Sequence, residues 1–192
     1  MEASYFDSEV EKALTVLRNG GVILYPTDTV WGLGCDASNA SAVNKIYQIK
    51  NRPDKKAMII LVAGERDVMQ YVASPDPAVF DFISKQDRPA TIIYEHAIGL
   101  PDNLTADDGS IAIRVVADDF CRHLIKRLRK PIVSTSANIS GMPAPKNFRE
   151  VSMEIINGVD HVVAWRQDDT KESMPSMVIK WDNDGTKTVI RK

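Results

Sequence analysis

The chain has few of the residues that build disulfide frameworks or bind metal ions. It contains two cysteines, Cys35 and Cys121, and three histidines, His96, His123 and His161, which are scattered along the sequence. Two cysteines are too few for a disulfide framework, and they lack the paired spacing of a zinc site. The sequence therefore predicts no structural metal.

Long apolar runs and an excess of positive charge are also missing. No stretch approaches the roughly 18 apolar residues of a membrane-spanning helix, and residues 1–6 do not have a basic segment followed by an apolar core. We therefore expect a soluble, cytoplasmic protein without a membrane partner. The 24 lysines and arginines are balanced by 26 acidic residues, so any nucleic-acid binding must be local.

The length and composition fit one compact domain. The chain has 192 residues, and 44% of them are hydrophobic, which is enough to bury a substantial core. We see no internal repeat and no low-complexity segment. Residues 1–192 are therefore predicted to form a single domain.

Helical and strand patterns alternate along the chain. Helices are predicted from a cap at Asp7 to Gly20-Gly21, from Asn39 until Pro53 at the latest, twice between Glu65 and Lys85, from Asp118, and near residues 148–157. Strands are predicted at residues 22–25, 58–62, 91–95, 110–116, 132–135, 161–165, 176–181 and 187–191. Because helical connections occur together with a hairpin turn at residues 182–185, we expect a mixed sheet.

Two polar segments directly follow strand-like runs. Residues 25–34 read YPTDTVWGLG, and residues 134–141 read STSANISG. Open α/β sheets bind ligands at strand ends, where such small donors and acceptors would lie. For residues 25–34, the alternative is that an Asx or Ser/Thr turn simply closes the strand. Ser136 has no nearby histidine and no hydrolase-type glycine pattern, so a serine hydrolase is rejected.

A cluster of positive charge follows the second predicted helix. Lys50, Arg52, Lys55 and Lys56 are opposed only by Asp54. Cations at a helix C-terminus can be explained by the helix dipole alone. Four cations within seven residues, however, provide the several donors that a triphosphate needs. We therefore predict a phosphate site here.

Two other sets of cations allow more than one interpretation. Arg114 is a lone cation in the alternating strand at residues 110–116, so it needs either an internal carboxylate or an anionic ligand. A basic run in the helix that follows would suit RNA, although the preceding Asp118 and Asp119 give the charge order that a helix dipole favours. This run consists of Arg122, Lys126, Arg127, Arg129 and Lys130.

The two polar segments, with Lys50-Asn51-Arg52-Pro53 between them, resemble the YrdC family of threonylcarbamoyl-AMP synthases. The resemblance extends from about Gly20 to Pro145 and returns at Pro175-Ser176 and Arg191. It implies an α/β fold, in which a single-domain, open, twisted, mixed sheet is flanked by helices and has a concave ligand cavity. It also implies a nucleotidyltransferase that condenses L-threonine, bicarbonate or CO2, and ATP to threonylcarbamoyl-AMP and pyrophosphate, for threonylcarbamoyladenosine in transfer RNA.

The family's functional residues can be transferred to matching positions. The resemblance implies that Lys50 and Arg52 are catalytic, through neutralisation of charge on the phosphates, and that Mg²⁺ enters with ATP. Substrate binding is implied for Thr27, Arg114, Ser134 and Ser176. ATP binding is implied for Lys50, Arg52, Lys56, Ser110, Ser136, Asn138 and Arg191. A downstream tRNA threonylcarbamoyl transferase complex is the implied protein partner.

The sequence departs from the family pattern in places. Ala144 replaces a residue that is often serine, Ala57-Met58 replaces a proline-leucine pair, and residues 86–90 replace a Trp-Pro-Gly-Pro run. Two alternative functions stay open. One is a non-catalytic, RNA-binding or ribosome-associated member of the same fold. The other is a carbamoyl-adenylate enzyme that uses carbamoyl phosphate, although such relatives are usually larger multidomain chains.

Overall fold

A computed structural model describes residues 2–52 and 58–192 of the chain, and within them six α-helices and nine strands. The helices are α1 Glu2–Arg18, α2 Ala40–Ile49, α3 Glu65–Val68, α4 Ala78–Ser84, α5 Asp119–Leu128 and α6 Met153–Gly158. The strands are β1 Ile23–Tyr25, β2 Gly32–Gly34, β3 Ile59–Val62, β4 Ala90–Tyr94, β5 Ile111–Val115, β6 Ile132–Ser136, β7 His161–Val162, β8 Met177–Trp181 and β9 Lys187–Arg191.

All of these strands belong to one open, mixed sheet. Their order is β7-β1-β2-β6-β3-β5-β4-β8-β9, so β7 and β9 lie at opposite edges. The pairs β1/β7, β3/β5 and β4/β8 are parallel, and the other neighbouring pairs are antiparallel. The predicted fold class is therefore confirmed.

Helices pack on both faces of this sheet. On one face, residues of α2, α3 and α6 join inward-facing strand residues such as Ile60 and Ile113 in an apolar cluster. On the other face, α1 and α5 cover part of the sheet through a second cluster that includes Leu61 and Ile132. Among the described residues, this second cluster includes none from β4, β8 or β9. Part of the second face is therefore left for other contacts.

Glycines allow β2 to form where the sequence predicted only a polar loop. A Cβ atom at Gly34 would lie 2.6 Å from Cε1 of Tyr25 and 3.0 Å from the carbonyl oxygen of Val133. The missing side chain leaves space in which the Tyr25 ring lies across β2, and the Tyr25 hydroxyl donates to the Val133 carbonyl at 3.4 Å. Strand β2 was missing from the predicted strands, because its formation depends on this packing between strands.

Replacing Gly34 with alanine is expected to lower the free energy of unfolding by about 1–3 kcal/mol, because the new methyl group overlaps a fully buried ring. Urea denaturation measures the change. Gly64→Ala is the control, since nothing lies within 4 Å of a Cβ atom at that position; its cost should stay within about 1 kcal/mol. Equal midpoints for the two variants would show that Tyr25 moves aside without cost.

The other predicted elements agree with the structure to within a few residues, with three corrections. Helix α1 begins before Asp7, because Phe6 packs on Phe120 and Trp165 and extends the apolar face of the helix. The helix predicted at residues 148–157 is divided into a short 3-10 turn at Phe148–Glu150 and α6, which is capped by Ser152. Strand β7 ends at Val162 rather than at residue 165.

Asn39 and Asp118 cap α2 and α5 as predicted, by accepting from the amides of Ala42 and Cys121. The second helix was predicted to end no later than Pro53. Pro53 lies outside the described residues, and α2 ends at Ile49. No helix among the described residues is both long and apolar enough to cross a membrane.

Candidate functional site

Strand register brings polar side chains from distant parts of the chain to one face of the sheet. Leu61 of β3 lies directly opposite both Ile132 of β6 and Arg114 of β5. Ile59 lies opposite Ser134. Because directly opposed residues share a face, Arg114 and Ser134 lie on the face that α1 and α5 partly cover.

The same face continues across β4, β8 and β9, whose described residues do not belong to the apolar cluster beneath α1 and α5. Val178 of β8 lies opposite both Thr91 of β4 and Arg191 of β9. Ala112 of β5 lies opposite Ile93, two residues from Thr91, so this side also continues from Arg114. Strands β6, β5, β4 and β9 therefore contribute polar side chains to one surface.

A cavity of about 210 Å³ opens on this surface. Its polar lining consists chiefly of three guanidinium groups and several hydroxyl groups. Among these lining residues are Arg52, Arg114, Ser134, Ser136, Ser176 and Arg191. Such a lining offers many hydrogen-bond donors and three positive charges, so it is suited to a ligand with several negative charges.

Arg114 is the most buried of these three cations, with 3% of its side chain exposed. One terminal nitrogen, Nη1, donates to Oγ1 of Thr29 at 2.9 Å. The other, Nη2, lies 3.2 Å from Oδ1 of Asp28, a distance within ion-pair range but without hydrogen-bond geometry. Nη2 and Nε have no hydrogen-bond acceptor in residues 2–52 and 58–192. Arg114 therefore keeps donors for a ligand while Asp28 balances part of its charge.

The segment after β1 is held by its own hydroxyl groups. Oγ1 of Thr27 donates to the carbonyl oxygen of Val30 at 2.9 Å and accepts from the amide of Thr29 at 3.0 Å. Oδ2 of Asp28 accepts from the amide of Ala117. Thr29 lines this cavity of about 210 Å³, the large cavity, and both Thr27 and Thr29 line a smaller cavity of about 30 Å³. Thr29 was not among the predicted site residues, although it lies in the polar segment at residues 25–34.

Lys50 is buried at the end of α2, with 3% of the residue exposed. Its Nζ donates to the carbonyl oxygens of Ser136 and, at 2.6 Å, of Asn138. Two of the three N–H groups of the ammonium therefore bind the segment that follows β6. Burial lowers the pKa of Lys50 to about 8, and the neighbouring positive charge of Arg52 contributes to this shift.

Ser176 and Arg191 form another part of the cavity wall. Nε of Arg191 donates to the carbonyl oxygen of Ser176 at 3.0 Å, and the hydroxyl of Ser176 shares a hydrogen bond of 2.8 Å with that of Thr91. Partial burial lowers the pKa of Arg191, and the positive charge of Arg114 lowers it further. The guanidinium groups of Arg114 and Arg191 are therefore close enough to repel each other across the cavity.

The remaining predicted site residues lie elsewhere. Ser110 is buried just before β5, with its amide bonded to Oδ1 of Asp108 at 3.0 Å. Asn138 donates to two backbone carbonyls, of Ile139 and Met142, and lines a separate groove. The lining that the described residues give to the large cavity does not include Thr27, Lys50, Ser110 or Asn138. Lys56 lies outside the described residues.

Apolar residues that were not predicted as site residues complete the lining. Met58, Ile59, Ala144 and Pro175 provide apolar parts of the cavity wall. These residues have no chemistry that would distinguish them from ordinary core residues. Their role depends on the meeting of segments that are distant in sequence.

The part of the chain that the structure describes has no cluster of three or more histidine, cysteine, aspartate or glutamate side chains that could hold a metal ion. Cys35 and Cys121 are both buried and unpaired. Burial raises the pKa of each thiol. Neither cysteine therefore resembles a reactive thiolate.

Comparison with known proteins gives consistent matches. The family model of the Sua5, YciO and YrdC proteins, described as "Telomere recombination", matches residues 15–192. The threonylcarbamoyl-AMP synthase of Pseudoalteromonas translucida is 33% identical over 159 residues, which cover 81% of this chain and 85% of the relative. The protein of the same name from Hahella chejuensis is 37% identical over 155 residues, which cover 79% of this chain and 83% of the relative.

A similar fold occurs in a solved structure of Sua5 from P. abyssi, described as complexed with L-threonine. Its TM-score is 0.78 at 25% identity, and the match covers 89% of this chain. This chain spans only about half of the P. abyssi protein, because the match covers 50% of that chain. The family model extends over most of the sequence, and the fold and the relatives agree with it. The chain therefore belongs to the Sua5/YciO/YrdC family.

Proposed function

We propose that the protein is a threonylcarbamoyl-AMP synthase, which makes threonylcarbamoyl-AMP and pyrophosphate from L-threonine, bicarbonate or CO2, and ATP. The convergence of Arg52, Arg114 and Arg191 on one cavity carries the proposal. Both the nucleotide and the carboxylated amino acid are anions, so they must be brought together against their mutual repulsion. Three guanidinium groups supply the opposing charge.

The two ends of the cavity suit different ligands. At one end, Arg114 has free N–H groups beside Thr29, an arrangement that fits the carboxylate of an amino acid. The hydroxyls of Ser134 and Ser136 lie close by on β6. We assign L-threonine to this end and the ATP phosphates to Arg52 and Arg191. The P. abyssi relative, described as complexed with L-threonine, supports an amino-acid ligand in this fold.

The reaction needs no side-chain nucleophile. The amine of L-threonine first bonds to the carbon of CO2, which gives a carbamate and a proton. A carbamate oxygen then attacks the α-phosphorus of ATP, the bond from that phosphorus to the bridging oxygen breaks, and pyrophosphate leaves. The residues of this chain would orient the two anions and neutralise charge that develops on the phosphates, with Lys50, Arg52 and Lys56 in that role.

Magnesium would enter with the nucleotide rather than bind to a protein cage. The lining that the described residues give to the cavity includes no carboxylate; Asp28 lies behind it, with Oδ1 3.2 Å from Nη2 of Arg114. A single carboxylate is compatible with Mg²⁺, which usually keeps several waters and is held largely by substrate phosphates. When bound, the ion would supply further positive charge to the phosphates.

An RNA-binding function is less well supported by the contacts of α5. Arg127 pairs with Asp7 at 2.7 Å and with Glu11 at 2.8 Å, and Lys130 pairs with Asp36 at 2.8 Å. Two of the five cations in the basic run are therefore used inside the protein. Action in the cytoplasm and delivery of the product to a tRNA threonylcarbamoyl transferase complex remain parts of the proposal.

Pyrophosphate release is the direct test. The protein is incubated with ATP, Mg²⁺ and bicarbonate, with L-threonine, L-serine or no amino acid. Release that requires L-threonine is expected, and mass spectrometry should detect threonylcarbamoyl-AMP. The same rate of release without any amino acid would contradict the proposal. No release together with salt-sensitive RNA affinity would favour the RNA-binding alternative.

A further inference from the structure

The connection from β7 to β8 crosses almost the whole sheet. We call residues 163–176 the strap. Seven strand spacings separate β7 from β8, or about 34 Å in a flat sheet. Fourteen fully extended residues reach at most about 50 Å. Residues 165–168 are folded into a turn, so the strap has limited slack.

The strap borders both cavities. Near its end, Pro175 and Ser176 line the large cavity. Nearer its beginning, Arg166 and Lys171 line the small cavity, together with Thr27 and Thr29. Thr29 lines both cavities. The strap therefore borders residues 27–29, which we call the substrate segment, and Arg114 contacts the same segment.

Arg166 makes the contacts that join the strap to this segment. Its Nη1 lies 2.8 Å from Oδ2 of Asp118, and its Nη2 donates to the carbonyl oxygen of Thr27 at 3.3 Å. The backbone of Arg166 is left-handed, with φ of 63°, which is uncommon for a residue other than glycine. Favourable contacts of the side chain must offset the cost of this conformation.

Asp118 is a firm anchor for this contact. Only 8% of its side chain is exposed. Its Oδ1 accepts from the amide of Cys121 and caps α5, while Oδ2 receives Arg166. The preceding residue, Ala117, donates its amide to Asp28. Residues at the beginning of α5 therefore bind both the substrate segment, through Asp28, and Arg166, which contacts that segment.

Thr27, Asp28 and Thr29 thus lie between two arginines. Arg114 contacts Asp28 and Thr29 from the large cavity, and Arg166 contacts the Thr27 carbonyl from the other side. The amide of Thr29 donates to Oγ1 of Thr27, so the two residues are coupled. A movement of the backbone at the Thr27 carbonyl would therefore shift the Thr29 hydroxyl. That hydroxyl in turn orients Arg114.

We propose that Arg166 is a positioning residue for the amino-acid end of the site. Through Asp118 and the Thr27 carbonyl, it holds Thr29 where that hydroxyl can direct the free donors of Arg114 into the cavity. This inference rests on the proposed function, since it assigns Arg166 to the binding of L-threonine. Arg52 and Arg191, which are assigned to the phosphates, take no part in this chain of contacts.

The test compares Arg166→Ala with Asp118→Asn. Asparagine caps helices about as well as aspartate, so Asp118→Asn removes the ion pair but keeps the cap. Each variant should raise the KM for L-threonine by about 10-fold, the loss expected for one charge-assisted hydrogen bond, while kcat and the KM for ATP stay within about 2-fold. The KM of the double variant for L-threonine should be no higher than that of Arg166→Ala, because both changes remove the same ion pair.

Lys146→Ala is the matched control. It breaks another ion pair of the strap, with Glu172, in which both side chains are more than half exposed. We expect no change in the KM for L-threonine, because exposed pairs contribute little. Calorimetric titration with L-threonine provides a readout of binding that does not depend on turnover.

The outcomes separate the two proposals. Weaker binding of L-threonine by Arg166→Ala, with the Lys146→Ala variant like the parent, supports the inference. Normal KM and affinity in Arg166→Ala, in a protein that releases pyrophosphate with L-threonine, overturns the inference alone. A uniform fall in kcat with unchanged KM for L-threonine also overturns it. A parent protein that neither binds L-threonine nor releases pyrophosphate overturns the proposed function, and the inference with it.

Discussion

Arg114→Ala is expected to reduce threonine-dependent pyrophosphate release by about 100- to 1,000-fold, the loss typical for removal of one preorganised donor from an active site. Arg114 is the most buried cation of the cavity, and two of its nitrogens have no hydrogen-bond acceptor among the described residues. Its removal takes away the donors assigned to the substrate carboxylate. The rate is measured as kcat/KM for L-threonine.

The same change should destabilise the protein, because it leaves Asp28 as an unpaired and mostly buried carboxylate with 12% of its side chain exposed. We expect a fall of about 1–3 kcal/mol in the free energy of unfolding at neutral pH. The double variant Arg114→Ala/Asp28→Asn removes the unpaired charge. It should recover stability but not activity. Recovery of activity together with stability would mean that Arg114 acts only through the fold.

Lys50→Met is expected to reduce turnover by about 100-fold or more while the protein remains folded. Methionine fills a similar space but removes the ammonium group, so the carbonyls of Ser136 and Asn138 lose their donor and the phosphates lose a cation. Loss of these hydrogen bonds lowers the stability of the protein, whereas removal of a buried charge raises it. Steady-state kinetics and thermal unfolding measure the two effects separately.

Lys45→Met is the control for this change. Lys45 also lies on α2 and donates to a backbone carbonyl, that of Gly20 at 3.0 Å, but it is about half exposed. Turnover should be unaffected. If both variants lose activity equally, the effect lies in α2 as a whole and not in the Lys50 ammonium.

The lowered pKa of Lys50, at about 8, predicts opposite effects of pH on activity and on stability. Above pH 8 the amine becomes neutral, so kcat/KM for ATP should fall as pH rises through this value. Because the ordinary lysine pKa is 10.5, the unfolded chain holds this proton more tightly than the folded protein between about pH 8 and 10.5. The contribution of Lys50 to stability therefore rises over that range. Lys50→Met should show neither effect.

Local patterns predicted those parts of the site that depend on one strand or one helix end. The alternation in β5 identified Arg114 as a cation on a face that needs an anion, and the structure gives it both an internal acid and free donors. The cap at Asp118 followed from residue type alone. In these cases the deciding interactions lie within a few residues of each other.

Features that depend on distant segments could not be predicted in this way. Strand β2 requires that the Tyr25 ring fill the space above Gly34, and this depends on β1, β2 and β6 together. Nothing near Arg166 in the sequence indicates its partners, because Asp118 and Thr27 approach it only when the strap crosses the sheet. The direction of the Lys50 side chain depends likewise on the path of the chain after β6.

The strand order also has a consequence for how the protein acquires its binding site during synthesis. Thr29 lies just before β2, whereas Arg191 lies in β9, and both line the same cavity. The wall that Ser176 and Arg191 form exists only when the β8–β9 hairpin has paired with β4. A nascent chain that has emerged from the ribosome only as far as β6 therefore has the substrate segment but no closed cavity. Because such long-range pairing forms slowly, ligand affinity should appear as a late event in folding.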